Sequence, residues 1–331
     1  MLDTGSSGWV GVLAFHPDEI HFLGGGNNGV RRWRLEYGQE VGKQTGMELN
    51  AISVSRNHKW VVCGTEEGAS VWDPEIEKKL IDVENRDAVY TVDVSADSTT
   101  FATGTLSGAS VWHITSGERL VGPVKHGSHV AAVRFSPNGE RVAASSPLSS
   151  ILVFDSRNGD KLTTINTVTA SYWPHSPLAW SNDGQQIFAA SEDNMIKSFD
   201  VSTGSQLAKS PTLNVNPNDY VNSIALAANG KFIATFANRT ISFLETSTLT
   251  RIDPLIEDST QIYSIALSAD SGYVATGLRD GKVTIRNLGG ILPDAYGPFH
   301  VSICPFTVLA SLVPSPALTH YVRHLIASKD N

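Results

Sequence analysis

HGSHVAAVRFSPNGERVAASSPLSSILVFDSRNGDKL, residues 126–162, is the stretch that decides the fold. An alternating apolar run over residues 130–135 ends at the turn Ser136-Pro137-Asn138-Gly139. Two more short apolar runs follow at residues 142–145 and 151–155, and a second Gly turn then leads into a further extended piece. Short alternating runs separated by Asn-Gly turns are typical of antiparallel strands joined in series. The stretch therefore predicts a meander of four strands.

The same unit recurs along nearly the whole chain. Taking Phe135, the last apolar residue before its turn, as an anchor, equivalent anchors recur at intervals of 39 to 46 residues: Phe15, Val54, Val94, Phe135, Trp180, Leu226 and Leu267. Three residues after every anchor stands Asp or Asn, at Asp18, Asn57, Asp97, Asn138, Asp183, Asn229 and Asp270. These side chains accept hydrogen bonds from nearby backbone N–H groups, which suits a tight turn between strands. The spacing predicts seven units.

The later strands of each unit repeat as well. The second is short and built from small or branched residues, as at residues 101–105 and 274–277. The third ends on a bulky residue 17 to 19 positions after the anchor, at Trp33, Trp72, Trp112, Phe154, Phe199, Phe243 and Ile285. The fourth begins with an apolar residue, at Val41, Leu80, Leu120, Leu162, Leu207, Ile252 and Leu292.

A four-stranded sheet of about 40 residues cannot bury both of its faces alone, so the units must pack on one another. Radial packing gives each face a neighbour and leaves only short edges. Linear solenoids are the competing assembly, but their repeats generally carry helices or shorter periods. The sequence predicts an all-β protein, a seven-bladed β-propeller built from four-stranded antiparallel blades of about 40 residues each.

The repeat resembles the tryptophan–aspartate (WD) repeat propellers. The motifs that carry this resemblance are Val71-Trp72-Asp73, Val111-Trp112-His113, Val153-Phe154-Asp155, Ser198-Phe199-Asp200 and the Phe135-Ser136-Pro137-Asn138-Gly139 turn. The resemblance covers roughly residues 9 to 292. It implies a non-enzymatic platform for contacts between proteins.

In that family a His before the first strand, a Ser or Thr, a turn Asp and the Trp form a hydrogen-bonded set within a blade. His126 matches the His, but its unit has Phe154 at the Trp position and lacks the turn Asp. Asp193 and Asp280 match the turn Asp in units that carry Phe or Ile instead of Trp. No unit keeps the complete set. Because Phe and Ile lack an indole N–H, we expect the blades to depend more on apolar packing.

We divide the chain into a lead at residues 1–8, the propeller at residues 9–292 and an irregular extension at residues 293–331. The first unit starts near Trp9 at its innermost strand, and the Gly/Ser-rich lead is poorly suited to supply an outer strand for the last blade. The extension contains five prolines. It has two interpretations: a degenerate eighth unit of a longer repeat array, or a helix over residues 317–328 with its apolar residues on one face.

Composition narrows the functional class. The net charge is −8 without any basic run, which argues against a nucleic-acid partner. Cys63 and Cys304 lie far apart and form no CxxC motif, so neither a disulfide framework nor a thiolate zinc site is predicted. No signal peptide is visible, and the longest apolar-leaning segment, residues 303–313, is too short to span a membrane. We expect an intracellular protein, cytoplasmic or nuclear.

One motif suggests an enzyme. Asp3-Thr4-Gly5-Ser6-Ser7 matches the catalytic loop of pepsin-like aspartic proteases, and Asp270-Ser271-Gly272 offers a second copy. Two carboxylates that share a proton would carry the chemistry. Such an Asp needs a preceding apolar strand, however, and only Met1 and Leu2 come before Asp3. Asp270 already belongs to the series of turn residues, so the protease remains a remote alternative.

Other candidate motifs lack partners. His126 and His129 are three residues apart, but no third metal ligand accompanies them. Gly24-Gly25-Gly26 opens no helix and has no Lys-Ser/Thr after it, unlike a phosphate-binding loop. The Ser-rich loop at residues 145–150 has no base placed to activate a hydroxyl. We therefore expect no catalytic residue, cofactor or metal.

Surface recognition remains. In a propeller, the loops that enter each first strand and those that join the second strand to the third lie on one face. Aromatic and Arg side chains, which are favoured interface anchors, occupy these loops at Trp9, Tyr90, His129, Trp173, Tyr220, Tyr263 and Arg279. The alternative is that each aromatic ring simply fills the top of a blade.

The sequence thus predicts a monomeric propeller that binds other proteins or peptides, within a multiprotein complex, through its loops. A small ligand bound or transformed in the central channel is the alternative. That alternative requires several carboxylates or His residues that converge on the channel.

Overall fold

A computed structural model describes most of the chain before residue 298. The described residues are 2–3, 10–16, 18, 20–26, 29–35, 39–41, 48–73, 78–84, 87–126, 129–146, 149–169, 177–213 and 221–297. They form seven antiparallel sheets of four strands each. The first strands of neighbouring sheets contact one another all the way round, and the last also contacts the first. The predicted seven-bladed β-propeller is confirmed.

The blades are numbered 1 to 7 in chain order, although the first strand of the chain, β1 (Leu2–Asp3), belongs to blade 7. Blades 1 and 2 contain β2 (Val10–Phe15), β3 (His21–Gly26), β4 (Gly29–Arg34), β5 (Gln39–Glu40), β6 (Ala51–Val54), β7 (Val61–Thr65), β8 (Gly68–Asp73) and β9 (Lys78–Glu84). Blades 3 and 4 contain β10 (Thr91–Val94), β11 (Thr100–Gly104), β12 (Ala109–His113), β13 (Arg119–Val124), β14 (Ala132–Phe135), β15 (Arg141–Ser145), β16 (Ile151–Asp155) and β17 (Lys161–Ile165).

Blades 5 and 6 contain β18 (Leu178–Trp180), β19 (Gln186–Ala190), β20 (Ile196–Asp200), β21 (Gln206–Lys209), β22 (Val221–Leu226), β23 (Phe232–Ala237), β24 (Thr240–Glu245) and β25 (Arg251–Glu257). Blade 7 contains β26 (Ile262–Leu267), β27 (Tyr273–Leu278), β28 (Lys282–Asn287) and β1. Two short 3₁₀ helices follow, at Leu288–Gly290 and Asp294–Tyr296.

All seven predicted turn residues act as expected. Each Asp or Asn accepts a hydrogen bond from the backbone N–H two residues further on, at 2.7–3.2 Å. A second series was not recognised in the sequence, namely a Ser two residues before the turn residue in five blades: Ser55, Ser95, Ser136, Ser181 and Ser268. Its hydroxyl donates to the Asp or Asn and accepts from the N–H five residues further on. These bonds fix the turns, which lie together on what we call the turn face.

The hydrophobic core is divided between the blades. Seven buried apolar clusters are present among the described residues, and each contains side chains from two neighbouring blades. Phe22 and Trp33 of blade 1, for example, share a cluster with Ala275 and Val283 of blade 7. Each blade is therefore stabilised from both sides, as a sheet with two apolar faces requires.

The WD-type hydrogen-bonded set survives only in part. In blade 3 the Trp112 indole N–H donates to Thr103 Oγ1 at 2.9 Å. In blade 1 the buried Trp33 indole N–H has no partner, because Gly24 stands where blade 3 has Thr103. Trp33 stacks on Phe22 with ring centroids 5.0 Å apart, as Trp112 stacks on Phe101 at 6.4 Å. Blade 1 therefore keeps the apolar contact of its Trp without the hydrogen bond that blade 3 has.

The N-terminus departs from the sequence prediction. Residues 1–8 seemed poorly suited to complete the last blade, but β1 pairs with β28, with Leu2 opposite Val283 and Asp3 opposite Lys282. The prediction was wrong because strand pairing uses backbone groups and does not need an apolar run. The first strands of blades 7 and 1 are also joined by a hydrogen bond. Ser264 Oγ donates to the Val10 carbonyl at 3.1 Å.

Leu292 was also wrongly placed. It begins no fourth strand, since β1 fills that position in blade 7. Leu292 is buried in the cluster between blades 6 and 7. The adjoining segment crosses the turn face of blade 6, where Asn229 Nδ2 donates to the Tyr296 carbonyl at 2.7 Å and Lys231 Nζ to that of Ala295 at 2.8 Å.

The proposed eighth unit and the alternative helix over residues 317–328 lie outside the described residues. The divisions of the chain at residues 8 and 292 stay predictions. Within the described part of the chain, no helix has the length and apolar character needed to cross a membrane.

The register of β1 is testable by cross-linking. In the double variant Asp3→Cys/Lys282→Cys we expect a disulfide, because paired residues of antiparallel strands have Cα atoms about 4.5–5.5 Å apart, within disulfide range. The matched control is Asp3→Cys/Asn287→Cys, in which the second Cys lies at the far end of β28. Mass spectrometry of the oxidised, digested protein reads out both. Equal cross-linking in the two variants would contradict the register.

The turn residue Asp18 should give the propeller a distinct acid sensitivity. Burial opposes its charge, but hydrogen bonds from the His21 ring and from the backbone N–H groups of His21 and Ile20 outweigh this and lower its pKa to about 2. An acid with a lowered pKa stabilises the fold above its ordinary pKa of about 4, and this stabilisation is lost as the pH falls towards 2. We expect Asp18→Asn to be less stable at pH 7 and to lose less stability below pH 4.

Urea unfolding at a series of pH values measures this difference. Asp294→Asn changes an exposed carboxyl beneath blade 6 and serves as the control. Parallel pH curves for Asp18→Asn and the unmodified protein would show that Asp18 does not have this role.

Candidate protein-interaction face

The face opposite the turn face is formed by the loops that enter the first strands and those that join second to third strands; we call it the loop face. Backbone hydrogen bonds fasten the entry loops to the ends of neighbouring strands. The Asn50 N–H donates to the Gly64 carbonyl at 2.9 Å, and the Tyr90 N–H to that of Gly104 at 2.9 Å. The face is therefore held in place by the rigid sheets below it.

Two of the predicted site residues meet on this face. Tyr90 enters blade 3 and His129 enters blade 4, and their rings contact edge to face with centroids 5.6 Å apart. Both side chains are half-buried. Burial lowers the pKa of His129, so its imidazole is neutral at pH 7 and packs as an uncharged ring. The pair spans the boundary between two blades.

Two carboxylates flank this aromatic pair. Glu66, in the loop between β7 and β8, accepts a hydrogen bond from Asn50 Nδ2 at 2.9 Å. Asp87, in the loop that leads to Tyr90, accepts one from Ser107 Oγ. The pKa of Tyr90 is raised, first by desolvation and then by the negative charges of Glu66 and Asp87. The phenol therefore lies in the field of both acids.

An exposed apolar side chain completes the group. Leu106, in the loop between β11 and β12, is 58% exposed, the largest exposed fraction among the large apolar side chains of the described residues. It directly precedes Ser107, the partner of Asp87. We call this set of residues the Tyr90 site: Asn50, Glu66, Asp87, Tyr90, Leu106 and His129.

The remaining predicted residues do not join the Tyr90 site. Tyr263 is half-buried at an irregularity in the pairing of β26 with β27. Arg279 is exposed in the next loop of the same blade, where its backbone N–H donates to the Gln261 carbonyl at 2.9 Å. Blade 7 does not adjoin blade 3, so these two residues form a separate part of the loop face. Trp9, Trp173 and Tyr220 lie outside the described residues.

The polar residues of the Tyr90 site were not predicted from the sequence. Asn50, Glu66 and Asp87 belong to no motif, and Asn50 and Glu66 approach Tyr90 only because blades 2 and 3 are neighbours. A signal was nevertheless present. Glu66 occupies the same second-to-third loop as Arg279 does in blade 7, and Asp87 precedes Tyr90 by three residues.

The central channel offers less chemistry. Within the seven first strands, as described, Asp93 is the only carboxylate and no His occurs. Burial raises the pKa of Asp93 despite the nearby Arg134 and Arg56, and its Oδ2 accepts the Phe135 N–H at 2.8 Å. Asp93 thus links blade 3 to blade 4, and the convergent carboxylates that the channel alternative requires are not found in these strands.

The described residues do not form a protease dyad or a metal centre. Asp3 pairs with Lys282 near the loop face, whereas Asp270 lies in a turn at the opposite end of blade 7. Across the described ranges, no group of three or more His, Cys, Asp or Glu is arranged to hold a metal ion. Burial raises the pKa of the Cys63 thiol to about 12, which keeps it protonated.

Comparison with known proteins agrees with the architecture. Residues 12–244 match the family described as Nucleolar protein 10-like, N-terminal domain, a β-propeller family. The chain belongs to this family. Residues 252–287 match the WD domain, G-beta repeat, which confirms the WD-type resemblance for the last blade.

Individual relatives are more distant. WD repeat-containing protein 1 of Bos taurus is 34% identical over 80 residues, which cover 24% of this chain and only 13% of that protein. Eukaryotic translation initiation factor 3 subunit I of Aspergillus terreus is 26% identical over 237 residues, which cover 63% of this chain and 68% of that protein. The solved β-propeller domain of Cps50 (Swd1) from Myceliophteria thermophila superposes with a TM-score of 0.71 at 17% identity, covering 85% of this chain and 98% of that one, and shares the fold.

The electrostatics of the Tyr90 site are open to direct measurement. We expect the double variant Glu66→Gln/Asp87→Asn to lower the pKa of Tyr90, although not to its ordinary value, because burial continues to raise it. NMR titration of ring-labelled tyrosine, with Tyr90→Phe for assignment, measures this. The control Glu118→Gln alters an exposed carboxyl at the other end of blade 3. An unchanged Tyr90 titration in the double variant would show that the two acids do not act on the phenol.

Proposed function

We propose that the protein is a non-enzymatic WD-type scaffold that binds other proteins or peptides through its loop face. The observation that carries this proposal is the Tyr90 site, with its edge-to-face aromatic pair and the exposed side chain of Leu106. The Tyr90 N–H donates to the Gly104 carbonyl, at the start of the loop that carries Leu106. Aromatic rings that are already held in place lose little conformational entropy on binding. Together with an apolar neighbour they resemble the anchors that dominate protein interfaces.

The family relationships also support a role in binding other proteins. One relative is a subunit of a translation initiation factor, and therefore a component of an assembly. By analogy we place this chain in a multiprotein complex, as a monomeric propeller without a cofactor. An analogy of fold is weaker support than the geometry of the site.

An intracellular location, cytoplasmic or nuclear, belongs to the same proposal. The family description refers to a nucleolar protein, which favours the nuclear option. The acidic net charge of −8 favours protein partners over nucleic acid.

Affinity capture from the native cell tests the proposed face. We expect Tyr90→Ala/Leu106→Ala to lose a defined subset of the proteins that the unmodified chain captures, because truncation removes the apolar anchors. The matched control is Thr115→Ala/Glu118→Gln, which changes two exposed residues at the opposite end of blade 3. Thermal unfolding of all forms verifies that they are folded. Capture of identical partners by the two double variants would reject the loop face around Tyr90 as the binding surface.

A further inference from the structure

We infer that the Tyr90 site receives a basic side chain of the partner, with arginine preferred to lysine, between the carboxylates of Glu66 and Asp87 and the ring of Tyr90. This inference rests on the proposed function and names the chemistry of the partner. Three independent features of the site support it.

The first feature is a pair of acids without cations. Among the described residues, the side chains that donate to Glu66 and Asp87 are the neutral amide of Asn50 and the neutral hydroxyl of Ser107. Neutral donors satisfy some of the oxygen lone pairs but leave both negative charges uncompensated. A cationic group is the partner that such a pair favours.

Several other carboxylates on the loop side of the ring have a cationic partner within the chain. Four of them are paired with a Lys or Arg of this chain at 2.5–3.2 Å: Asp193–Lys197, Glu257–Arg239, Asp258–Arg286 and Asp280–Lys282. Within the described residues, Glu66 and Asp87 form no ion pair of this kind and accept only from Asn50 and Ser107. These two acids are available to a cation from another molecule.

The second feature is a buried acceptor without a donor. Asn50 is only 2% exposed, and its Oδ1 has no hydrogen-bond partner among the described residues. The Nδ2 atom of the same amide donates to Glu66, so Oδ1 lies beside that carboxylate. A buried unsatisfied acceptor is costly to a fold. A guanidinium group, with its five N–H donors, satisfies this oxygen and the neighbouring carboxylate together once the exposed Glu66 side chain moves to meet it.

The third feature is the aromatic surface. A cation over the face of a Tyr ring is attracted by the electron density of the ring, and guanidinium groups stack on such faces more often than ammonium groups. The adjacent imidazole of His129 is neutral and so adds no opposing positive charge. Leu106 offers an apolar contact for the methylene groups of a long basic side chain.

The net charge of the whole chain also favours a basic partner. A net charge of −8 attracts a basic peptide and raises its association rate. The preference for arginine follows from shape, since a planar fork can contact a carboxylate and the amide oxygen at once while an ammonium acts as a point charge.

Matched peptides test the inference on the full chain. The probe is the capped peptide acetyl-Gly-Gly-Arg-Gly-Gly-amide, with Lys or the uncharged citrulline in place of Arg, and binding is followed through the NMR signals of Tyr90 and His129. We expect saturable shifts with the Arg peptide, weaker binding of the Lys peptide and loss of binding with citrulline. Glu66→Gln and Asp87→Asn should each weaken the Arg peptide by roughly two- to fivefold, the range of exposed ion pairs.

Two results would overturn the inference. One is equal binding of the Arg and citrulline peptides, or no binding of either. The other is an equal loss of affinity in the control Glu118→Gln, which would show that the effect depends only on the net charge of the protein.

The cellular capture experiment separates this inference from the proposed function. If Tyr90→Ala/Leu106→Ala loses partners that Glu66→Gln/Asp87→Asn retains, the interaction face stands and the basic side chain is rejected. If neither variant loses a partner, the proposed face itself fails.

Discussion

A blade of this protein has two apolar faces and no means of burying either one by itself. Every buried cluster of the described residues joins two blades, so blades 1 and 7 are covered on both faces only when the ring closes. The interface between blades 7 and 1 is the only one of the seven whose partners are not consecutive in sequence. That contact alone turns a row of seven blades into a ring.

The sequence predicted the repeating parts of the fold because each weak signal occurs seven times. One Asn or Asp after an apolar run means little, but seven at a regular spacing define a turn. The parts of the fold that do not repeat could not be predicted in this way. Leu2–Asp3 is a strand of two residues held by backbone pairing, and it leaves no side-chain pattern to detect. Leu292 was misplaced because an apolar residue at the expected spacing can equally well cover the end of a blade.

The candidate site shows the same division between local and spatial information. Tyr90 and His129 could be predicted from residue type and loop position, and the structure brings them into contact. Glu66 and Asn50 lie in blade 2, and no local pattern relates them to a ring in blade 3. Their approach follows from the angle between blades. Matching of charges was equally invisible, since the sequence does not show that Asp193 has Lys197 while Glu66 has only an amide.

The closure of the ring has a consequence for folding during synthesis. Ser264 and the carbonyl that it contacts, that of Val10, are 254 residues apart, and β1 pairs with a strand further still along the chain. Blade 1 and β1 therefore find these partners only after blade 7 has been synthesised. Throughout that interval the outward face of blade 1, with Phe22 and Trp33, has no native cover. The nascent chain thus exposes an apolar surface until blade 7 has been synthesised, and protection from other chains during that time is part of what this fold requires.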